Sequence, residues 1–538
     1  VNPKVSIAAD LKMYGRFACG LRNFLRHTIN LEEARFIVQQ RLMEREINFL
    51  RLITKGIYGY PRSPYLPLLK LAQVELGDIK TMVRDKGLEN TLLALRGAGV
   101  YVSFEEFKGR EPIVRDGKVI PVQIHDFDNP HLKQHYYRES GGTTGAGTRI
   151  PTDLDHLAAQ APDMMLAYEA HGLLGVPEVN WCSILPGPGV DAILRRACFG
   201  QVVQKWYSPI GIGGTRPALK YWLATYTAIV LGRLLGRPLP WPETARLDQA
   251  AVVARRMAET LGKYGECLLL TLVSWAVRVC LAAREEGLDL KGAVFWGGGE
   301  PPTPAKVRTI TERGASWIAG YWFMEVGAVG LGCAQPADVN DNHLLNDSVA
   351  IVQYPRRIND SEITVDAFNF TTLLPTAPKI LLNVESDDYG IIEKRSCGCM
   401  LESYGFTEHV RHIRSFSKLS GEGVSLVGSE MVQILEEVLP ARFGGSPLDY
   451  QLQEEEDDQG FTRLSLLVSP KVDIPDEGKV VQTILETLGR SSVAADMARS
   501  IWSQAEILRV KRKEPVWTQR GKLMSLHGKR HSKDRQPS

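Results

Sequence analysis

Apolar and polar positions alternate along this chain in short blocks, and the blocks predict a mixed order of helices and strands. Asn30-Leu31-Glu32-Glu33 has the form of a capping box, so a helix is expected over residues 30–54, with Phe36, Ile37, Leu50 and Ile53 partly buried. A Tyr-, Pro- and Gly-rich loop follows at 58–67, then short helices at 68–76 and 78–95, and a short strand at 100–104. Beyond it a helix is expected over 153–173, with Leu157, Ala158, Met165 and Leu166 facing inward. An apolar strand at 181–185 stops at Pro186-Gly187-Pro188-Gly189, and a helix at 192–199 leads to a strand at 202–206. Residues 216–288 turn helical and apolar, with helices at 219–235 and 247–284, the second broken near Gly262. These helices offer apolar surface to a substrate or simply pack against one another.

The second half resumes the alternation. Ala293-Val294-Phe295-Trp296 reads as a strand that ends in Gly297-Gly298-Gly299-Glu300-Pro301-Pro302, with a helix from Ala305. Two apolar stretches at 315–318 and 319–324 close on Glu325, and 461–468 reads as a later strand. Short strands alternating with helices make the fold class α/β. The length suggests two or three domains, and a family resemblance carried by the motifs quoted below implies where they divide: a large N-terminal domain of mixed sheets flanked by helices over 1–414, then, across a hinge, a small C-terminal α/β domain over 415–538 with a basic tail. No internal repeat is visible.

Bulk composition narrows the function classes. A length of 538 residues exceeds one ordinary domain, and 44% hydrophobic with 23% charged residues is the composition of a globular protein with a sizeable core. With 64 basic and 62 acidic residues the net charge is +2, which gives no global attraction to nucleic acid or to an anionic membrane. Eight cysteines do not make a disulfide scaffold at this length. The apolar runs at 221–231 and 267–280 read as buried helices, the first too short to span a bilayer and the second carrying Arg278. Residues 1–30 show no charged-then-apolar signal, so a cytoplasmic location is expected.

Chemistry is most concentrated in Ser140-Gly141-Gly142-Thr143-Thr144-Gly145-Ala146-Gly147-Thr148. Glycines admit close backbone approach, and successive N–H groups with Ser and Thr hydroxyls can wrap phosphate oxygens. The Gly-Lys-Ser/Thr ending of a P-loop is missing. An isolated run of this kind is also what a surface loop looks like. Three segments in order raise its meaning. The loop resembles the S-G-T-T-G phosphate loop of adenylate-forming enzymes, Gly298-Gly299-Glu300-Pro301 resembles their adenine turn, and Tyr321-Trp322-Phe323-Met324-Glu325 keeps the ends of their Y-G-x-T-E motif. On these motifs the chain resembles the ANL superfamily, and within it the phenylacetate–CoA ligases and acyl-protein synthetases.

The resemblance implies ATP-dependent activation of a carboxylic acid as an acyl-adenylate, then transfer to a thiol, with coenzyme A the first acceptor to consider. A carrier protein, a protein cysteine or an amine is the alternative acceptor, and a non-catalytic nucleotide-binding relative the alternative class. It assigns Ser140, Gly141, Gly142, Thr143, Thr144 and Gly145 to the ATP phosphates. Gly299, Glu300 and Pro301 fall to the adenine turn, Tyr321 to the adenine face, and Glu325 to Mg²⁺, a hard cation that takes oxygen ligands. The ribose aspartate falls on Asp387 or Asp388, with Asp388 preferred. The apolar 216–288 segment suits an aryl or fatty acyl acid.

Three further features follow from the same resemblance. Cys333, His343, Cys397 and Cys399 form a Cys₃His set, which implies a structural Zn²⁺, with a catalytic thiol as the rival. The hinge matches His412-Ile413-Arg414-Ser415-Phe416-Ser417-Lys418-Leu419, where both acids of the family pattern are replaced. Near the end, Pro515, Thr518 and Gly521-Lys522 keep the spacing of the family's P-x-x-T-x-x-G-K, so Lys522 rather than Lys529 is expected as the catalytic lysine. A lysine there meets charge as it moves onto the phosphate.

Overall fold

A computed structural model describes residues 7–139, 149–210, 219–357, 364–415, 418–421, 424–427, 431, 434–457, 461–489, 493–516 and 526–528. Helices Ile7–Arg26, Leu31–Met43 and Arg45–Leu52 lead into a π-helical turn, Ile53–Tyr58. Asn30 does cap, its Oδ1 accepting from the Glu33 N–H at 2.9 Å. The helix expected over 30–54 is nevertheless in pieces, because Glu44 leaves helical geometry at φ −95°, ψ 9°. The strand expected at 100–104 reduces to one bridge between Val102 and Val384. Ser103 and Glu106 form a reciprocal capping box there and start the helix Phe104–Phe107 instead.

The body is one twelve-stranded sheet. Its parallel half runs, in spatial order, Pro242–Thr244, Lys205–Ser208, Glu178–Trp181, Cys267–Leu272, Ala293–Gly298 and Ser316–Phe323. Its antiparallel half continues through Gly327–Gly332, Asn342–Leu344, Glu408–Ser415, Val384–Lys394, Thr364–Thr372 and Val349–Arg357. Ser316–Phe323 is therefore the junction strand, parallel to one neighbour and antiparallel to the other. The two apolar stretches expected at 315–324 are this single strand. Residues 267–272, expected to be helical, form a central strand buried against neighbours on both sides, and the helix Val273–Glu285 starts directly after it. A continuous apolar run reads alike for a two-face-buried strand and a buried helix.

A second, four-stranded sheet orders Leu508–Arg512, Thr462–Val468, Tyr450–Glu456 and Leu526–Gly528, with helices Glu477–Gly489 and Val493–Ala505 beside it. Tyr450, Leu452, Leu464 and Leu466 share one core with Val480, Ile484 and Trp502. Polar contacts join this unit to the large sheet: Arg278 lies 4.8 Å from the Phe461 ring centroid, and the Leu247 N–H donates to Gln504 Oε1 at 3.1 Å. The architecture is thus the expected mixed α/β one, a large helix-flanked sheet with a smaller C-terminal sheet. Among the described residues no helix is long and apolar enough to cross a membrane.

Candidate functional site

Open α/β sheets bind ligands at the carboxyl ends of their strands. Two carboxyl ends meet at the junction. Ala293–Gly298 ends in the glycine turn, and the parallel Ser316–Phe323 ends beside Glu325. The turn needs its glycines. A Cβ on Gly298 would lie 2.3 Å from the Gly320 carbonyl oxygen, and Gly299 sits at φ +84°, where a side chain is strained. The Glu300 carboxylate is buried and spent within the protein. It accepts from the Ser274 N–H at 2.8 Å, at the start of helix Val273–Glu285, and from the fully buried Lys306 Nζ at 3.2 Å. Its side chain fixes the turn.

On the junction strand, the buried Tyr321 hydroxyl donates to Asp388 Oδ2 at 2.8 Å, and Ser415 Oγ donates to Asp388 Oδ1 at 2.5 Å. Burial first, and then the Asp388 charge, push the Tyr321 phenol well above its ordinary value, so it stays a donor. This joins Tyr321 to Asp388, which pairs in register with Ser415 at the end of its strand. Asp387 is buried.

Glu325 has a cation already. Lys108 Nζ donates to its Oε1 at 2.8 Å, and both side chains are largely buried. Burial pushes the Glu325 carboxyl up, but the Lys108 charge and hydrogen bond, with Lys379 behind them, outweigh it and hold the group below its ordinary value. Lys379 is buried, donating to the Ile124 carbonyl at 2.8 Å and to Asp128 Oδ1 at 2.5 Å. An ionised carboxylate offers the oxygen ligands that a hard divalent cation takes.

The Gly/Thr loop joins the two strands of a hairpin, Tyr136–Glu139 paired with Arg149–Thr152. The hairpin stem is tied to the Glu325 segment. Arg138 Nη2 donates to the Met324 carbonyl at 3.1 Å, and its Nη1 pairs with the buried Asp191 at 2.8 Å. The helix Leu154–Ala170 begins just after the hairpin and sends His156 Nε2 to within 2.9 Å of the Val326 carbonyl. Burial, then the Arg138 charge, depress the His156 pKa to about 3, so the ring is neutral and donates that bond. Gln160 Nε2 reaches the same carbonyl at 3.4 Å.

Cys333, His343, Cys397 and Cys399 also converge, their ligand atoms all within 4.8 Å of one another. His343 Nε2 lies 3.0 Å from Cys399 Sγ and 3.6 Å from Cys397 Sγ, while Nδ1 meets the Phe406 carbonyl at 2.6 Å. That outer bond fixes the tautomer and leaves Nε2 for a metal. Backbone N–H groups of Gln335 and Cys399 point at Cys333 Sγ (3.3 Å) and Cys397 Sγ (3.4 Å). The Glu402 carboxylate accepts from the Cys397 and Gly398 N–H groups at 2.9 and 2.7 Å and fixes the tight Cys-x-Cys turn. A hydrogen bond from Cys333, opposed by burial and aided by His343, holds the Cys399 thiol far below its ordinary value. Three sulfurs and one imidazole at this spacing fit tetrahedral zinc.

The structure therefore brings Tyr321, Glu325 and Asp388 around one junction and gathers the four metal candidates elsewhere. Ser140, Gly141, Gly142, Thr143, Thr144 and Gly145, together with Lys522, Lys529 and Phe416, lie outside the described residues. Sequence reasoning missed Lys108, Arg138, His156, Gln160 and Ser415, which reach the site from distant elements. Only the Ser103–Glu106 capping box, one turn before Lys108, left a local signal.

No protein-family model and no curated protein sequence matches the chain. Solved structures do. 2-Hydroxyisobutyryl-CoA ligase, in complex with 2-HIB-AMP and CoA in the thioesterification state, matches at 13% identity and a TM-score of 0.51, over 98% of this chain and 94% of its own. An amide bond synthetase from Marinactinospora thermotolerans matches at 12% identity, TM-score 0.41, over 94% and 97%. The anthranilate CoA ligase AuaEII, in complex with anthranoyl-AMP, matches at 12% identity, TM-score 0.34, over 81% and 74%. The first of these shows the fold, and the resemblance to the adenylate-forming enzymes holds at that level.

Proposed function

We propose that this chain activates a carboxylic acid by adenylation and passes the acyl group to a thiol, coenzyme A in the first instance. The observation that carries the reading is the junction strand. Its Tyr321 bonds Asp388, and the segment that follows it, carrying Glu325, is tied through Arg138 to the hairpin bearing the Gly/Thr loop. That arrangement supports one nucleotide site with adenine, ribose and phosphate ends in the order the motifs imply.

In the first step a carboxylate oxygen of the substrate attacks the α-phosphorus, and the bond to pyrophosphate breaks. Residues 140–145 hold the departing phosphates, and Lys522 follows the charge as it redistributes. Glu325 would hold Mg²⁺, which supplies positive charge to the phosphates. No side chain of the protein need act as nucleophile, since positioning and electrostatics carry the step. In the second step the thiol sulfur attacks the acyl carbon, AMP leaves, and the thiol proton passes to solvent. The apolar 216–288 segment suits an aryl or fatty acyl acid. Cys333, His343, Cys397 and Cys399 would hold a Zn²⁺ that pins three separate stretches of chain, a structural role. Residues 1–414 form the adenylating domain in this reading and 415–538 the moving one.

Replacement of both hinge acids and the presence of Phe416 there favour a second reading, a nucleotide-binding relative without catalysis. Exchange of labelled pyrophosphate into ATP separates the two. A panel of apolar acids should support Mg²⁺-dependent exchange in the intact chain; binding of AMP with no exchange for any acid would leave the second reading.

A further inference from the structure

The helix Leu219–Leu234 is largely apolar, with Lys220 and Arg233 its only charged residues, a composition that belongs in an interior. It buries only one side, with Tyr221, Ala224, Ala228 and Ile229 facing the core. The opposite side carries Leu223, Thr227, Val230 and Leu234 at i, i+4, i+7 and i+11, one face of a helix. Leu223 is 52% exposed, Val230 42% and Leu234 76%. Along its edge runs an aromatic stack. Trp222 and Tyr226 lie 4.0 Å apart between centroids, and Trp241, itself 41% exposed, lies 5.3 Å from Tyr226.

The charged residues of this helix, and those of residues 11–26 in the helix beside it, are all basic. Helix Ile7–Arg26 packs alongside and exposes Arg16, Arg22 and Arg26. Arg233 sits 5.5 Å from the Trp241 ring centroid, and Arg237 Nε donates to the Leu25 carbonyl at 3.4 Å. Acids make up 62 of 538 residues, yet none occurs between Asp10 and Glu32 or between Asp191 and Glu243. Glu243, the first acid after the helix, is paired with Lys205.

An apolar stripe, an aromatic edge and a basic border are the three elements of a surface that lies on an anionic bilayer. A second copy of the chain fits less well, since a two-fold contact would set this basic border against itself. We propose that this face is a peripheral membrane-binding surface that takes up anionic lipid headgroups with its arginines and the acyl boundary with Leu223, Val230 and Leu234.

Flotation of the full chain with vesicles tests this. The chain should float with phosphatidylcholine vesicles containing about 30% phosphatidylserine and not with phosphatidylcholine alone, and high salt should release it. Arg22→Gln with Arg26→Gln should weaken binding by about fivefold per arginine. Leu223→Asp with Leu234→Asp should abolish it, with thermal melting checking that each variant is folded. Absence of flotation with anionic vesicles at low salt overturns the proposal without needing any variant. So does lipid binding that neither pair of substitutions changes, or a dimer that Leu234→Asp dissociates while vesicles bind nothing. Equal binding to a soluble acidic peptide that the leucine changes leave intact points to a protein partner and also overturns it.

Discussion

Replacing Lys108 by methionine keeps its stem and removes its charge, leaving the Glu325 carboxylate, whose side chain is 7% exposed, without its 2.8 Å partner. Breaking one side of a buried ion pair costs about 3–5 kcal/mol. Lys379 contributes attraction from behind but is engaged with Asp128, so the loss should fall near about 3 kcal/mol. The pH dependence carries the sign. In the wild-type protein the Glu325 pKa is depressed, so its contribution is full above the unfolded carboxylate value and is lost only as pH falls through the lower folded one. In the variant burial acts with little opposition and raises that pKa, so the folded protein loses stability as pH rises above the unfolded value. The gap between the two proteins should therefore be widest at about pH 7 and close towards about pH 4. Denaturant unfolding at those two pH values measures it. Millimolar Mg²⁺ should narrow the gap at neutral pH if the freed carboxylate accepts the ion. A penalty equal at both pH values, or none at neutral pH, would refute the reasoning.

Other outcomes follow from the same structure. Elemental analysis should find one zinc per chain, and Cys399→Ser should lose it together with a clear drop in melting temperature; a zinc-free wild-type protein removes the site. Lys522→Ala should suppress adenylate formation by at least about a hundredfold while Lys529→Ala changes it little, and the reverse ranking would move the catalytic lysine to 529. Asp163 and Asp347 are both fully buried beside Arg41, and burial, then the Asp347 charge, hold the Asp163 carboxyl well above its ordinary value. A raised carboxylate loses stability as pH rises from the unfolded value towards the folded one. Asp163→Asn should therefore flatten the stability profile between about pH 4 and pH 7, and an unchanged profile would contradict the assignment.

What was legible in the sequence is what its chemistry keeps local. Gly298-Gly299-Glu300-Pro301 and Tyr321 to Glu325 are each contiguous in the sequence, and the strands that carry them lie side by side. The Cys₃His set was legible because cysteine and histidine are scarce and their chemistry narrow. Lys108, Arg138 and His156 were not, since each acts on residues 170 or more positions away and none stands in a distinctive pattern. The strand Cys267–Leu272 was hidden for another reason. A sheet buried on both faces erases the alternation that marks a strand, and only the φ +79° of Gly265, ending the preceding helix, separates it from a continuous helical run. Glu300 shows a motif residue whose side chain serves the turn rather than the ligand.

On the proposed function, a carboxylic acid becomes an acyl-adenylate in the site at the junction strand. Mass spectrometry of the nucleotides bound after incubation with ATP, Mg²⁺ and a mixture of apolar acids, with no thiol present, tests it most directly. An acyl-AMP should be retained on the wild-type protein, with pyrophosphate in solution, and should be lost on Glu325→Gln. ADP and phosphate as the products, or AMP bound with no acyl group from any acid, would contradict it.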